Sequence, residues 1–212
     1  MRLADELFLI TWDTSVSGTP ILHVQATSLG LAGALLAELA LLERVAIRGS
    51  KIWVVNAAPV EDALAQEVLD LMSAAPEHSD VRTWLAYLAQ SAVDSVADRL
   101  VRSGLVTREE SRSMLMRKTV RYLATDYARG AWPIHRVELM LTNGRPMTLL
   151  DMALVAMIDA VDLLDWLMSK MQDRRTVRRY IATLMATLPP PLRDLAGHVQ
   201  TAVGNAVLSY RS

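Results

Sequence analysis

The sequence of 212 residues contains no cysteine and only one phenylalanine. Without cysteine it can form neither disulfides nor thiolate metal sites, and this usage fits a cytoplasmic protein. Aromatic residues make up 5% of the chain, whereas methionine occurs 11 times, so soft unbranched side chains carry more of the contacts.

Motifs that would indicate catalysis are also missing from the sequence. It has no G-x-S-x-G, no Walker loop and no G-x-G-x-x-G. The four histidines, at positions 23, 78, 135 and 198, do not have metal-ligand spacing. We therefore predict no catalytic residue, no cofactor and no metal site. The remaining enzyme alternative is Glu38 as an acid with a raised pKa, whereas the favoured interpretation is a buried carboxylate with satisfied hydrogen bonds.

Charge is nearly balanced overall but unevenly distributed along the chain. The net charge is −1, yet residues 1–98 carry 5 basic and 13 acidic groups, and residues 99–212 carry 17 basic and 10 acidic groups. Such a split predicts a molecule with one basic face. The alternative is that the two halves pair with each other.

The most distinctive segment, residues 28–44, predicts a buried helix with Ser28 or Thr27 as its N-cap. Its apolar run of fourteen residues is too short to span a bilayer. Gly30 and Gly33 lie with three alanines at three- and four-residue spacing along one side. We therefore expect a neighbouring helix to approach this side closely.

The other patterns predict a mainly α fold, a single compact helical domain over residues 1–212 with one or two small β-hairpins. In chain order they predict a short apolar segment at 3–12, a loop at 15–20, two strands within 45–55, helices at 61–72 and 80–104, a second hairpin within 106–123, breaks at 130, 133 and 143–144, and helices at 149–170, 174–188 and 192–210.

The segment 149–168 is apolar enough to resemble a membrane span, but four aspartates interrupt it. On a helix Asp151, Asp159, Asp162 and Asp165 fall on one side. Each carboxylate would cost roughly 2.5–3.5 kcal/mol near the bilayer centre. A helix outside the membrane, with one polar side in contact with water, is therefore favoured over a transmembrane helix. The alternative is that the last three bind Mg²⁺ and a diphosphate.

A basic region precedes and includes the second predicted hairpin. Seven basic residues lie between positions 99 and 121, opposed only by two glutamates. At its centre the apolar residues 114–116 are flanked by Arg112, Arg117 and Lys118. An anionic bilayer surface attracts a hairpin with such an apolar tip and basic residues around it. The alternative is a strand whose apolar residues face the core. The residues predicted to bind membrane lipid are Arg112, Met114, Leu115, Met116, Arg117, Lys118 and Arg121.

A second basic group occurs at Arg174, Arg175, Arg178 and Arg179. Because like charges one turn apart repel, either the aspartates of the preceding helix or a phosphate-bearing partner should compensate them. No recognisable nucleic-acid-binding motif accompanies either group, so no nucleic-acid partner is predicted.

Five segments in the same order resemble the Golgi phosphoprotein family, the phosphoinositide-binding Golgi adaptors and their actinobacterial relatives. The segments are LADELFLITWD (3–13), GLAGALLAELALLERV (30–45), APVEDALAQEVLD (58–70), RTWLAYLAQSAVDSVADRLVRSGLVTREE (82–110) and MTLLDMALVAMIDAVDLL (147–164).

The resemblance implies a mainly α domain with a membrane-touching hairpin, here around residues 113–121. In the eukaryotic members it also implies a phosphatidylinositol 4-phosphate pocket and binding of cytoplasmic tails of membrane enzymes. At the positions of that pocket's Trp and three Arg residues this chain has His23, Ala32, Gln90 and Val93. The main cationic phosphate ligands are therefore replaced, which leaves recognition of this lipid open.

Together these patterns predict a non-enzymatic peripheral membrane adaptor, cytoplasmic and bound to the membrane face. It would dock on anionic lipid through the hydrophobic-basic hairpin and hold a partner protein, such as the cytoplasmic tail of a membrane protein, on its acidic half. The alternative is a soluble protein–protein interaction module without lipid binding.

Overall fold

A computed structural model describes residues 1–112, 118–169 and 171–209 of the chain. Within these residues the architecture is mainly α with two β-hairpins, as predicted. The elements are α1 (Leu3–Thr11), α2 (Val24–Leu41), β1 (Val45–Arg48), β2 (Lys51–Val54), α3 (Ala63–Ala74), α4 (Val81–Leu88), α5 (Ala92–Arg102), β3 (Val106–Arg112), β4 (Lys118–Ala124), α6 (Tyr127–Asn143), α7 (Leu149–Ala160), α8 (Leu164–Ser169), α9 (Arg174–Thr187) and α10 (Pro190–Ser209).

Helix α2 lies at the centre of the hydrophobic core. It contacts α1, α4, α5, α7 and α10, and the core they share draws on residues from Leu3 to Val203. Within the described ranges α2 alone is long and apolar enough to cross a bilayer. The prediction that this segment is too short for a span is therefore wrong, because the helix has 18 residues and not fourteen. However, 72% of it is buried by protein, as expected of a core helix.

The two glycines of α2 allow close helix packing, which confirms the prediction. A Cβ atom on Gly30 would lie 2.4 Å from Val161 Cγ1, and one on Gly33 would lie 2.4 Å from Val199 Cγ2. Real Cβ atoms do not approach so closely, because interiors are packed to near-crystalline density. Only glycine fits at these two contacts.

The predicted start of α2 is wrong by four residues. His23 is the N-cap, and its Nδ1 accepts a hydrogen bond from Gln25 N–H at 3.3 Å. Thr27 and Ser28 lie inside the helix, where Ser28 Oγ donates to the Val24 carbonyl. The helix ends before residue 44 because Glu43 takes a left-handed backbone conformation at φ 55°.

Two predicted long helices are each divided in two. The segment 80–104 turns at residues 89–91, which lets the apolar sides of both α4 and α5 reach the core. The segment 149–170 turns where Asp162 adopts φ 62°, while Lys170 lies outside the described residues. Conversely, α6 continues through Gly130 and Pro133, which were predicted to break it. Only Gly144, at φ 58°, ends that helix.

Candidate functional site

The β3–β4 hairpin packs against the helical body along β4, where Tyr122 is buried and Val120 contacts the core, while most of β3 faces solvent. Its strands pair antiparallel from Val106–Ala124 at the base to Arg112–Lys118. Six residue intervals at about 3.4 Å place the last described pair about 20 Å from the base. Val106 is buried, whereas β3 is exposed over residues 107–110. The outer part of the hairpin is therefore available to a partner or a surface.

A buried aromatic cluster fixes the base of this hairpin. Tyr122 is only 2% exposed and meets the rings of Phe8 and Trp12 edge-on, at 5.6 and 5.5 Å between centroids. Phe8 and Trp12 stack at 4.9 Å. The Gly18 carbonyl accepts hydrogen bonds from Trp12 Nε1 at 2.8 Å and from the Tyr122 backbone N–H at 2.9 Å. The hairpin is thus joined firmly to α1 and the loop after it.

The structure places the predicted membrane-binding residues differently from one another. Arg121 is half-buried, and its Nε donates to the Ser17 carbonyl, so this side chain ties the hairpin to the loop. Arg112 and Lys118 are described by their backbone alone, as the outermost strand pair. The tip residues Met114, Leu115, Met116 and Arg117 lie outside the described residues.

Other basic residues near the hairpin have acidic or backbone partners. Arg108 contacts Glu110 at 3.0 Å and Asp98 at 3.5 Å, and its guanidinium lies 6.0 Å from the Tyr122 ring centroid. Arg102 Nε donates to the Asp98 carbonyl at 3.3 Å. These two arginines are therefore at least partly engaged by groups of the protein itself.

The base of the hairpin can be tested through Gly18. This residue has φ 66°, and a Cβ atom there would lie 2.9 Å from Arg121 Cβ. We expect Gly18→Ala to destabilise the protein by about 1–3 kcal/mol and to speed amide hydrogen exchange at Tyr122.

Gly104→Ala is the matched control, because Gly104 has φ 68° but no neighbouring atom within 4 Å of the place that a Cβ would occupy. It reports backbone strain alone. Equal free-energy losses and equal exchange at Tyr122 in the two variants would show that the close approach at Gly18 does not hold the hairpin.

Below the hairpin, Arg99 belongs to a buried ion cluster and not to a basic surface. Its Nε donates to Asp5 Oδ1 at 2.7 Å, and its Nη1 donates to Asp62 Oδ1 at 2.8 Å. Both oxygens of Glu38 accept from the guanidinium, at 3.2 and 3.3 Å. The Ala4 N–H also donates to Glu38 at 2.8 Å. The interpretation of Glu38 as a satisfied buried carboxylate is confirmed.

Burial dominates the electrostatics of this cluster. It raises the pKa of both Asp5 and Glu38, although the Arg99 charge opposes the effect. Burial acts on Asp62 too, but hydrogen bonds from Ala65 N–H and Arg99 bring its pKa below the ordinary value. Asp5 and Glu38 therefore depend mainly on the Arg99 guanidinium to offset the cost of burying their charge, whereas Asp62 has further partners.

A second, partly buried arginine, Arg136, contacts the buried carboxylates of Glu6 and Asp151. Asp151 also closes a capping box with Thr148 at the start of α7. Burial raises the pKa of Glu6, again against the arginine charge. Arg99 and Arg136 come from the basic half and meet Asp5, Glu6, Glu38 and Asp62 of the acidic half, so the two halves of the chain do pair through these contacts.

The four aspartates at 151, 159, 162 and 165 do not form one solvent-exposed side of a continuous helix, as was predicted. Asp151 is buried, and the turn at Asp162 separates α7 from Asp165 on α8. Asp165 contacts Arg178 at 2.8 Å, so an aspartate compensates this member of the second basic group, as predicted. The pKa of Asp159 is raised by burial and by the two neighbouring aspartates.

The four positions that replace the family lipid pocket lie in different settings. His23 caps α2, Ala32 is fully buried, Gln90 is exposed between α4 and α5, and Val93 is half-buried in α5. A phosphate-binding site there would need cations from other residues. In the part of the chain that the structure describes, no group of three or more His, Asp or Glu residues could hold a metal ion.

Comparison with protein families identifies the class of this protein. The family model described as Golgi phosphoprotein 3 (GPP34) matches residues 3–199. The chain therefore belongs to the Golgi phosphoprotein 3 family. No curated protein matches the chain significantly. Membership of this family suggests an adaptor role.

Proposed function

We propose that this protein is a non-enzymatic peripheral membrane adaptor that docks on anionic membrane through the outer end of the β3–β4 hairpin. The observation that carries the proposal is the hairpin itself. Its base is fixed by the Tyr122 cluster, and the solvent-exposed β3 strand covers about 20 Å between Val106 and Arg112. A hairpin held in this way can present the turn between its strands to a bilayer without rearranging the core.

The tip sequence supplies the chemistry that a lipid surface attracts. Met114, Leu115 and Met116 are apolar, and Arg117 and Lys118 follow them directly. Each cation near an anionic surface contributes about 1 kcal/mol, and each large apolar side chain that becomes buried contributes about 1.5–3 kcal/mol. We propose reversible binding set by negative surface charge, because the usual phosphoinositide ligands of the family are replaced.

The adaptor part of the proposal concerns protein partners. We propose that the docked protein holds a basic or amphipathic cytoplasmic tail on its acidic N-terminal half. Although Arg99 and Arg136 neutralise part of that charge, exposed acids such as Glu61, Glu67 and Asp70 remain on its surface. Because such tails lie on the cytoplasmic side, we propose that the protein acts at the cytoplasmic face of a membrane.

Co-sedimentation with vesicles tests the docking site. The wild type should bind vesicles that contain an anionic lipid, and the double variant Arg117→Glu/Lys118→Glu should fall to the level seen with neutral vesicles. The matched control is Arg48→Glu/Lys51→Glu, which makes the same charge change on a cross-strand pair of the β1–β2 hairpin. It should retain binding.

Undiminished binding by the Arg117→Glu/Lys118→Glu variant would contradict docking through the hairpin. A wild type that binds none of the vesicles would contradict membrane docking altogether and favour the soluble interaction module. A strong preference for phosphatidylinositol 4-phosphate over other anionic lipids would contradict recognition by charge alone.

A further inference from the structure

A cleft beside the Arg99 cluster lies where the end of α2, the segment before α3 and the start of α7 meet. Its volume is about 560 Å³, within the range of small-molecule sites. Most of its wall is apolar, including Leu41, Leu42, Val60 and Leu150. Leu42 is 47% exposed at the edge of this wall. The cleft can therefore bury part of an apolar ligand.

One cationic side chain in this wall has a donor that no described residue satisfies. Arg44 lines the cleft, and its Nε is buried without a hydrogen-bond acceptor among the described residues. The left-handed conformation of Glu43 turns the backbone just before it. A buried donor without an acceptor destabilises the folded protein, and more strongly when it belongs to a charged group. Because this Nε has almost no accessible surface, a ligand in the cleft would pair with the outer guanidinium nitrogens of Arg44, for which no described residue supplies an acceptor.

The acidic residues of the same cleft do not supply that acceptor. Glu38 and Asp62 are already held by Arg99, and Asp62 is also contacted by Arg2 at 3.4 Å. Glu61 lines the cleft too, but no ion pair joins it to Arg44 within the described part of the chain. The guanidinium of Arg44 therefore has no acidic partner among the described residues that line the cleft.

We propose that this cleft binds an anionic amphiphile, whose carboxylate or phosphate group pairs with Arg44 and whose hydrocarbon chain lies against Leu41, Leu42, Val60 and Leu150. The planar guanidinium matches both oxyanions through paired N–H donors. Burial of the hydrocarbon chain supplies the remaining affinity, which grows with each methylene group removed from water. The site involves no residue of the β3–β4 hairpin and does not rest on the proposed membrane docking.

Calorimetric titration of the full chain, without vesicles, tests the proposal with four probes. Decanoate and decyl phosphate carry the proposed chemistry and distinguish a fatty acid from a phospholipid-like source. Decanol lacks the oxyanion, and inorganic phosphate lacks the chain. We expect one of the two amphiphilic anions to bind at least tenfold more tightly than decanol or phosphate, because hydrogen bonds to charged groups are the stronger kind.

Arg44→Met is the decisive variant, because it keeps a long apolar side chain and removes the unpaired donor. It should bind the preferred anion at least tenfold more weakly, while its thermal midpoint stays the same or rises. Arg82→Met is the control, since Arg82 is a surface residue paired with Asp80. The control and the Arg117→Glu/Lys118→Glu variant should bind the anion like the wild type.

Equal affinity of the wild type and Arg44→Met for the anion would overturn the proposal. So would equal binding of decanol and decanoate, or no heat of binding from either anion. Because the titration contains no membrane, these outcomes do not bear on docking through the hairpin, and a failed vesicle experiment does not bear on this cleft.

Discussion

Arg99→Met is expected to lower the free energy of unfolding by about 3–5 kcal/mol at neutral pH. The substitution leaves Asp5, Glu38 and Asp62 without the guanidinium that contacts all three. Removing one partner of a buried ion pair costs more than the pair itself contributes, because the other charge stays buried and uncompensated. Urea unfolding followed by circular dichroism measures the loss.

The size of this loss should depend on pH. The folded-state pKa values of Asp5 and Glu38 lie above 3.8 and 4.5, the ordinary values of the two groups. The folded chain therefore keeps protons that the unfolded chain has released, and the contribution of these groups is lost as pH rises through the raised values. Without Arg99 these pKa values rise further, so the penalty should be small near about pH 4 and largest above about pH 7.

Arg82→Met provides the comparison for this prediction, since it breaks an exposed pair with Asp80. It should cost less than about 1 kcal/mol, as exposed pairs do. An Arg99→Met variant that loses less than about 1 kcal/mol, or the same amount at every pH, would show that the cluster does not carry the buried charge we assign to it.

Gly30→Ala/Gly33→Ala is expected to destabilise the protein by about 2–6 kcal/mol, since overpacking at each site costs about 1–3 kcal/mol. The opposite sign would follow from helix propensity alone, because alanine is better than glycine inside a helix by about 1 kcal/mol. The new methyl groups would meet the buried side chains of Val161 and Val199 at 2.4 Å. Neither short branched side chain has room to move.

Two comparisons make this prediction specific. Gly197→Ala on α10 has no atom within 4 Å of the new methyl group, so it should stabilise the protein by up to about 1 kcal/mol. The pair Gly33→Ala/Val199→Ala should lose less stability than the sum of its two single variants, by about 0.5–3 kcal/mol. Additive losses would contradict the direct contact.

The sequence predicts the helical class, both hairpins and the role of the α2 glycines. These follow from local patterns, since apolar spacing and small residues report which side of a helix is buried. The divided helices are a different case. The first turn depends on the left-handed backbone conformation of Asp162, which residues other than glycine rarely adopt. The second turn, at residues 89–91, contains neither glycine nor proline. Tertiary packing overrides local preference at both places.

The position of Arg99 shows that local sequence patterns do not identify partners that are distant along the chain. In the sequence it stands first in a basic run, so it is grouped with the hairpin cations. In the structure its partners Asp5 and Glu38 lie 94 and 61 residues away along the chain. Nothing in the local pattern identifies such partners. The acidic α1 residues and the lone Glu38 signal only that a buried cation is needed somewhere.

Docking through the hairpin tip is the central claim, and the absence of cysteine allows it to be tested at a single position. A cysteine at Leu115 can carry an environment-sensitive nitrobenzoxadiazole dye, and one at Val55, which is 54% exposed on another part of the molecule, serves as the control. With anionic vesicles we predict brighter, blue-shifted emission at position 115 and no change at position 55. Unchanged emission at position 115 while the protein sediments with the same vesicles would contradict docking through the hairpin.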